Sequence, residues 1–477
     1  MATQIQQLDF LLVPLMSQSH LIPFTEMAKL LAHHGIAVTI VMTPINALRY
    51  NKVIDYSRNL NLNIIKFISL RFPCQEVGLP DGCENLDSLP SLDLVPKFFE
   101  ASDMVKQPLE KWLGELESLP DCIISDFCFP WTSDVSLQFQ IPRIVFQTVS
   151  CFTLACSRSI ESITTTPTLE PFLVPDMPDK IEFTEAQLPI TRSTTSEYMR
   201  DRLNKYKEVE LLADGVLVNS FEELELRYVK EYQKVMKNTW CIGPLYLANS
   251  STPTDEHKCL KWLGSRKPSS VLYVCFGSLS HIRPQQLMEI GLGLEASNCS
   301  FIWAIRKDHL TEELEKWLEE ENFEEKVKGR GLIVRGWAPQ VPILSHSSVG
   351  GFLTHCRWNS TLEAVSAGKP MITWPMFAEQ FYNEKLIVQV LKIGVRVGVE
   401  VSVNWAAEEK VETLVKREVI EKAIEKLMMD YEKEGEERRK RARELGELAK
   451  KAVEEGGSSY LNVQLLIQHI NHMQQLC

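Results

Sequence analysis

Three short stretches carry residue types whose spacing suits chemistry. The first is His355-Cys356-Arg357-Trp358-Asn359-Ser360, which follows an apolar β-type run, Gly351 to Thr354, and leads into the helical pattern TLEAVSAG. A helix start presents free backbone N–H groups and the positive end of its dipole, which together suit a diphosphate. Asn359 or Ser360 can cap that helix, and Glu363 is expected on its first turn, where a carboxylate can equally serve as a cap partner with no ligand. The second stretch, Cys275-Phe276-Gly277-Ser278, is another strand end with a glycine and a hydroxyl. The third sets His20, in the turn SQSH after the apolar run Phe10 to Pro14, beside a choice of carboxylates in ISDFCFPWTSD, Asp126 or Asp134. An imidazole backed by a carboxylate is a base for an alcohol: the carboxylate fixes the tautomer and stabilises the imidazolium that forms.

Such residues act only if strand ends come together. The first half reads as a β-α-β unit, with a helix from near Pro23 (IPFTEMAKLLAHHG) and a strand from Val38 to Met42. Further apolar strands follow at Ile64–Ile68, Cys122–Ser125, Arg143–Gln147 and Gly215–Val218. Continuous apolar strands separated by helices imply a parallel sheet buried on both faces. GPLYLANSSTPTDEHK, between about Gly243 and Lys267, is the linker expected from its Ser, Thr, Pro and charge. A second series follows: strands Val271–Phe276, Phe301–Ile305, Leu332–Val334, Gly351–Thr354 and Pro370–Trp374, with helices from Pro284, Ser360 and Glu379. The expected fold is α/β, with one doubly wound domain over residues 1–245 and another over 246–459, strand ends toward a central cleft. Val415 to Glu455 reads as a charged helical stretch with a solvated face, and a Gly456-Gly457-Ser458-Ser459 break precedes a last amphipathic helix within 460–477.

Composition narrows the function. Lys+Arg 51 against Asp+Glu 63 gives a net charge of −12, which repels a nucleic-acid backbone as a partner. The twelve cysteines form no CxxC pair and several sit in apolar runs, as free thiols in a cytoplasmic protein do. MATQIQQLDF lacks a basic leader, and no apolar run reaches the roughly 18 residues of a membrane helix. No integral membrane segment and no Asp-x-Asp metal motif near the diphosphate stretch are found, so neither a metal nor a cofactor is expected.

The stretch from Trp337 to Gln380, WAPQVPILSHSSVGGFLTHCRWNSTLEAVSAGKPMITWPMFAEQ, closely resembles the signature box of the plant family 1 UDP-glycosyltransferases of secondary metabolism. SQSHLIPF, VNSFEELE, IGPL and EEGGSSYLNV extend the likeness over essentially the whole chain. The resemblance implies a GT-B fold of two Rossmann-like domains, the nucleotide sugar held mainly by the C-terminal one and the last helix packing back on the N-terminal one. It implies that Trp337 stacks on uracil, Ala338 and Gln340 meet base and ribose, and Glu363 accepts from the ribose hydroxyls. His355, Asn359, Ser360 and Ser278 would hold the diphosphate, and Trp358, Glu379 and Gln380 the hexose. Glutamine at the last position is associated in the family with glucose, histidine with galactose. The pattern also selects Asp126 over Asp134 as partner of the base His20. The implied enzyme is a monomeric, inverting, metal-independent hexosyltransferase that uses UDP-glucose as co-substrate. Its small-molecule acceptor would be a flavonoid, another phenolic or a triterpenoid alcohol. Phe127, Phe129, Gln147 and Phe152 are the expected acceptor-binding residues, each also consistent with plain core packing.

One departure stands out, since the family has glycine where this chain has Arg357. If the turn needs positive φ there, arginine strains the loop, and Arg357→Gly is expected to improve donor use. If the guanidinium contacts phosphate or a uronic acid, the same change weakens binding. Glucuronosyl or galactosyl transfer, or a UDP-sugar-binding protein impaired by Arg357, are the alternatives. A nucleotide-sugar epimerase or dehydrogenase would need a Gly-rich fingerprint that VPLMSQSH lacks.

Overall fold

The apolar runs become strands because both their faces are covered: every side chain of Cys122–Asp126 and of Arg143–Gln147 is buried. In the computed structural model, residues 7–59, 64–161, 170–188, 197–248, 257–402 and 414–476 are described. Strands β1 (Asp9–Val13), β2 (Ala37–Met42), β3 (Ile65–Ser69), β4 (Cys122–Asp126), β5 (Arg143–Gln147), β6 (Gly215–Val218) and β7 (Thr239–Cys241) form a parallel sheet in the order β3-β2-β1-β4-β5-β6-β7. Strands β8 (Val271–Cys275), β9 (Ser300–Ile305), β10 (Gly331–Arg335), β11 (Val349–Thr354), β12 (Met371–Thr373) and β13 (Gly394–Arg396) form a second parallel sheet in the order β10-β9-β8-β11-β12-β13. This is the α/β architecture with two Rossmann-like sheets that the pattern implied.

Each sheet reverses its strand order once, between β1 and β4 and between β8 and β11. Ligands of open α/β sheets bind beyond the strand ends at such points. Register decides which residues meet there. Val13 pairs with Ser125, so the segments after β1 and β4 leave the first sheet side by side. Cys275 pairs with Thr354, which does the same for the segments after β8 and β11.

Helix α1 (Gln18–His33) starts ahead of the expected point and runs through Pro23. Proline there forfeits its own N–H and crowds the carbonyl four residues back, while its buried ring joins the core. Helices α2 (Pro284–Ala296) and α3 (Trp358–Ser366) serve the second sheet. The charged stretch after Val415 is two helices, α4 (Arg417–Met428) and α5 (Lys433–Val453). The solvated face is there, laced by the i, i+4 pairs Arg438–Glu434, Lys440–Glu444 and Arg441–Glu437 of α5, while α4 buries Ile420, Ala423, Ile424 and Leu427, the i, i+3, i+4, i+7 stripe of a core helix. Charge runs hide such stripes when the apolar positions are few.

The chain divides into two units, one from residues 1–151, 192–250 and 451–477, the other from 152–191 and 251–450. The first is completed by α6 (Ser458–Leu476), where Asn462 Nδ2 donates to Cys241 O at 3.0 Å and to Glu222 Oε1 at 2.9 Å, and His469 lies 5.3 Å from the Trp240 ring. Within the second, the Thr153 hydroxyl donates to Asn383 Oδ1 at 3.3 Å and Phe183 packs 4.9 Å from Tyr382. Residues 249–256 of the expected linker lie outside the described residues. Among the described residues no helix is long and apolar enough to cross a membrane.

Candidate active site

In the first unit, His20 sits on the first turn of α1 and Asp126 is the last residue of β4. Because β1 and β4 are neighbours, the two side chains meet: His20 Nδ1 lies 2.7 Å from Asp126 Oδ2. The carboxylate is fully buried and is held by backbone as well, with Leu15 N donating to Oδ2 at 3.3 Å and Cys128 N to Oδ1 at 3.0 Å. A buried carboxylate with three donors stays where it is put. Accepting at Nδ1–H, it leaves His20 Nε2 as the lone-pair nitrogen, and the imidazole is 12% exposed. Asp134, the other carboxylate considered, is instead exposed and paired with Lys106 at 2.7 Å.

The expected acceptor residues differ in setting. Phe127 lies 5.8 Å from the His20 ring and packs edge-on against Tyr206. Phe129 is buried against Trp131 and with it lines a small apolar cavity that Val13, Met16, Met42 and Phe72 also border. Gln147 is buried and its amide donates to Glu210. Phe152 is fully buried and belongs to the second unit.

In the second unit the strand ends of β8 and β11 build a cradle. Gly277 has φ +75°, and a Cβ there would stand 2.5 Å from His355 Nε2, so the glycine is what lets the imidazole lie against this loop. Burial pushes the His355 imidazole down to about 3, with the charges of Arg357 and Arg306 acting the same way, so it is neutral at physiological pH. Its Nδ1 has no hydrogen-bond partner among the described residues. The left-handed residue of the turn is Cys356, at φ 65°, while Arg357 is the N-cap of α3 with φ −63° and ψ 145°. The strain expectation for Arg357 is thereby overturned: its backbone is ordinary extended chain, which any residue adopts. Trp358 is buried at the start of α3, with Asn359 and Ser360 beside it on the first turn. Glu363 falls on the second turn rather than the first, and it is Gln340 that reaches it, Nε2 donating to Glu363 Oε2 at 2.7 Å and to Ser360 Oγ at 3.0 Å. Burial pushes the Glu363 carboxyl up to about 7, against that hydrogen bond.

Trp337 is 72% exposed, a large flat ring standing clear of any core, with Ala338 buried beside it. Ser278 is half-buried beyond Gly277. Glu379 accepts from Trp358 N at 3.4 Å. Gln380 is buried, its Oε1 accepting from Met376 N at 2.8 Å and Phe377 N at 3.2 Å, while Nε2 has no partner among the described residues. Two unpartnered polar atoms, His355 Nδ1 and Gln380 Nε2, are what a polar ligand would satisfy.

Supporting residues escaped the sequence reading. Asp87 caps α1, accepting from Gln18 N at 2.6 Å and the Ser17 hydroxyl at 3.2 Å, and Asn383 Nδ2 donates to Cys356 O at 2.9 Å. Neither carries a signal in sequence, because each acts across a long chain separation. His281, Asp308 and His309, which share no sequence motif, bring ligand atoms within 4.8 Å of one another. Arg306 already holds Asp308 there, at 2.6 and 2.9 Å.

Residues 108–431 match the family described as UDP-glucoronosyl and UDP-glucosyl transferase. UDP-glycosyltransferase 73C3 of Arabidopsis thaliana is 46% identical over 98% of this chain and 97% of its own length. UDP-glycosyltransferase 73E1 of Stevia rebaudiana is 48% identical over 97% of this chain and 96% of its own. Among solved structures, Glycyrrhiza uralensis UGT73P12 complexed with glycyrrhetinic acid 3-O-monoglucuronide aligns with a TM-score of 0.91 and 38% identity, covering 99% of this chain and 97% of that one. Phytolacca americana UGT2, complexed with UDP-2fluoro-glucose and pterostilbene, aligns with a TM-score of 0.77 and 26% identity, covering 97% and 100%.

Proposed function

The chain belongs to the UDP-glucuronosyl and UDP-glucosyl transferases, among the plant UDP-glycosyltransferases that act on small metabolites, and from that premise we propose that it is an inverting glucosyltransferase of the cytoplasm. It transfers glucose from UDP-glucose to a hydroxyl of an apolar phenolic, flavonoid or triterpenoid acceptor, giving a β-O-glucoside. The observation that carries this reading is the His20–Asp126 pair at 2.7 Å, a base with its tautomer fixed. His20 Nε2 takes the proton of the acceptor hydroxyl, the oxygen bonds to the anomeric carbon, and the bond from that carbon to the diphosphate breaks with its electron pair leaving on UDP. One displacement converts the α-linked donor into a β-product. Trp337 stacks on uracil, Ala338 and Gln340 meet base and ribose, and Glu363 accepts from the ribose hydroxyls. His355, Asn359, Ser360 and Ser278 hold the diphosphate at the start of α3, while Trp358, Glu379 and Gln380 read the hexose. Phe127, Phe129, Gln147 and Phe152 serve the acceptor.

Glucuronosyl transfer is the second reading, favoured by the glucuronide in the Glycyrrhiza uralensis complex. A mass-spectrometric screen of UDP-glucose, UDP-galactose and UDP-glucuronate against phenolic and triterpenoid acceptors is expected to give hexosides from UDP-glucose, with β configuration by NMR. An α-product, or UDP-glucose binding without turnover on any acceptor, would contradict the proposal. The same rate is expected in excess EDTA as without it, because a helix N-terminus and neighbouring hydrogen-bond donors meet the charge of the departing diphosphate. A strict requirement for Mg²⁺ or Mn²⁺ would refute that.

Glu363 gives a pH signature. Its carboxyl titrates at about 7 in the fold against an ordinary 4.5. Burial favours the neutral acid, so this group's contribution to unliganded stability is full below about pH 4.5 and is lost as pH rises through about 7. UDP binding, which uses the ionised form, runs the other way and should tighten roughly tenfold from about pH 6 to about pH 8. Calorimetric titration of UDP against Glu363→Gln checks this: the phosphate's own ionisation is common to both proteins, so only the wild type should keep the additional slope.

A further inference from the structure

Arg357 occupies the N-cap of α3 without backbone strain, so its side chain, not its φ, is what this chain gains there. That side chain turns toward the loop before Gln380. Its Nε lies 3.9 Å from Glu379 Oε1, and the guanidinium carbon lies 5.6 Å from the Phe377 ring centroid. The same Oε1 accepts from Trp358 N at 3.4 Å, so two consecutive residues, one by side chain and one by backbone, address one carboxylate oxygen. Glu379 is only 14% exposed, and a carboxylate so far out of water is stabilised by a neighbouring cation and N–H donors. Oε2 accepts no hydrogen bond among the described residues. Ala378, just before it, has φ 52°, a left-handed turn that sets where the glutamate emerges.

Resting on the UDP-sugar reading above, we propose that Arg357 is a positioning residue that pins and charge-balances Glu379, so that Oε2 is presented to the hydroxyls of the donor hexose. This arrangement selects against uronic acids. A uronate would have to displace Glu379 from the guanidinium and would meet the glutamate's negative charge as it did so. Arginine suits the task better than lysine because its charge is permanent and spread over a planar group that also rests on Phe377.

A double-mutant cycle tests this, with UDP and UDP-glucose binding by calorimetry and kcat and KM for UDP-glucose and UDP-glucuronate. Arg357→Met should raise the KM for UDP-glucose about threefold to fivefold, the scale of an ion pair that makes no hydrogen bond, and leave UDP affinity unchanged. Arg357→Lys should recover part of that loss. Adding Arg357→Met to Glu379→Gln should cost nothing further, because the partner is already neutral. Glu379→Gln should also improve use of UDP-glucuronate relative to UDP-glucose by freeing the guanidinium. Retained UDP binding shows in each variant that the fold is intact. An unchanged KM in Arg357→Met, an equal loss for UDP and UDP-glucose, additive effects, or a wild type that prefers UDP-glucuronate would each overturn the inference. A wild type that binds neither UDP nor UDP-glucose overturns the donor-site reading and this inference with it.

Discussion

His20→Ala should lower kcat by about 10²–10⁴-fold, the range a positioned general base contributes, while UDP-glucose binds as before. The separation is expected because His20 belongs to the first unit and every residue assigned to the nucleotide belongs to the second. Steady-state kinetics with calorimetric UDP-glucose binding reads both quantities, and near-normal turnover in the variant would remove His20 from the mechanism. Asp126→Asn should cost activity less completely, since an amide can hold the ring but cannot stabilise the imidazolium. It should also cost stability. Asp126 accepts from His20, Leu15 and Cys128, so an amide sets one N–H against another donor in a dry site, a penalty of about 1–3 kcal/mol that a melting curve would show.

Trp337→Ala should weaken UDP binding roughly 10- to 100-fold with no change in melting temperature. Base stacking on an aromatic ring is worth about 1–3 kcal/mol, and a ring 72% exposed contributes little to the core. Its described ring neighbour, His257, lies nearly perpendicular to it with centroids 6.3 Å apart, and most of the indole stays in contact with water. Trp337→Phe should restore part of the affinity. Unchanged UDP affinity in Trp337→Ala would show that the exposed ring serves something other than the base.

Much of this was legible because strand ends announce themselves. The apolar runs before His355, Gly277 and Asp126 needed no tertiary information to be read as buried parallel strands. The pairing of His20 with Asp126 was less legible, since 106 residues separate them and only the resemblance chose Asp126 over Asp134. Strand order supplies the missing physics: β1 and β4 are neighbours, and Asp134 is drawn off to Lys106. Arg357 shows the opposite failure. Glycine at that position suggested positive φ, whereas the left-handed burden falls on Cys356, one residue earlier. A family residue's identity marks a constraint but does not say whether it lies in the backbone or in the space a side chain would fill. Asp87 and Asn383, which fix the start of α1 and the carbonyl of Cys356, look in sequence like any other polar residues.

The completion of the first unit by α6 bears on how a ribosome makes this protein. A sheet assembled from residues 9–241 emerges early, yet Cys241 O and the ring of Trp240, both on its edge strand β7, find Asn462 and His469 only after residues 458–476 have been made. Until then that edge is a strand without its cover, the kind of surface that pairs with other nascent chains. Synthesis is therefore vectorial but completion is not: the first unit to be translated is the last to be closed, and the whole second unit must be made before its helix arrives.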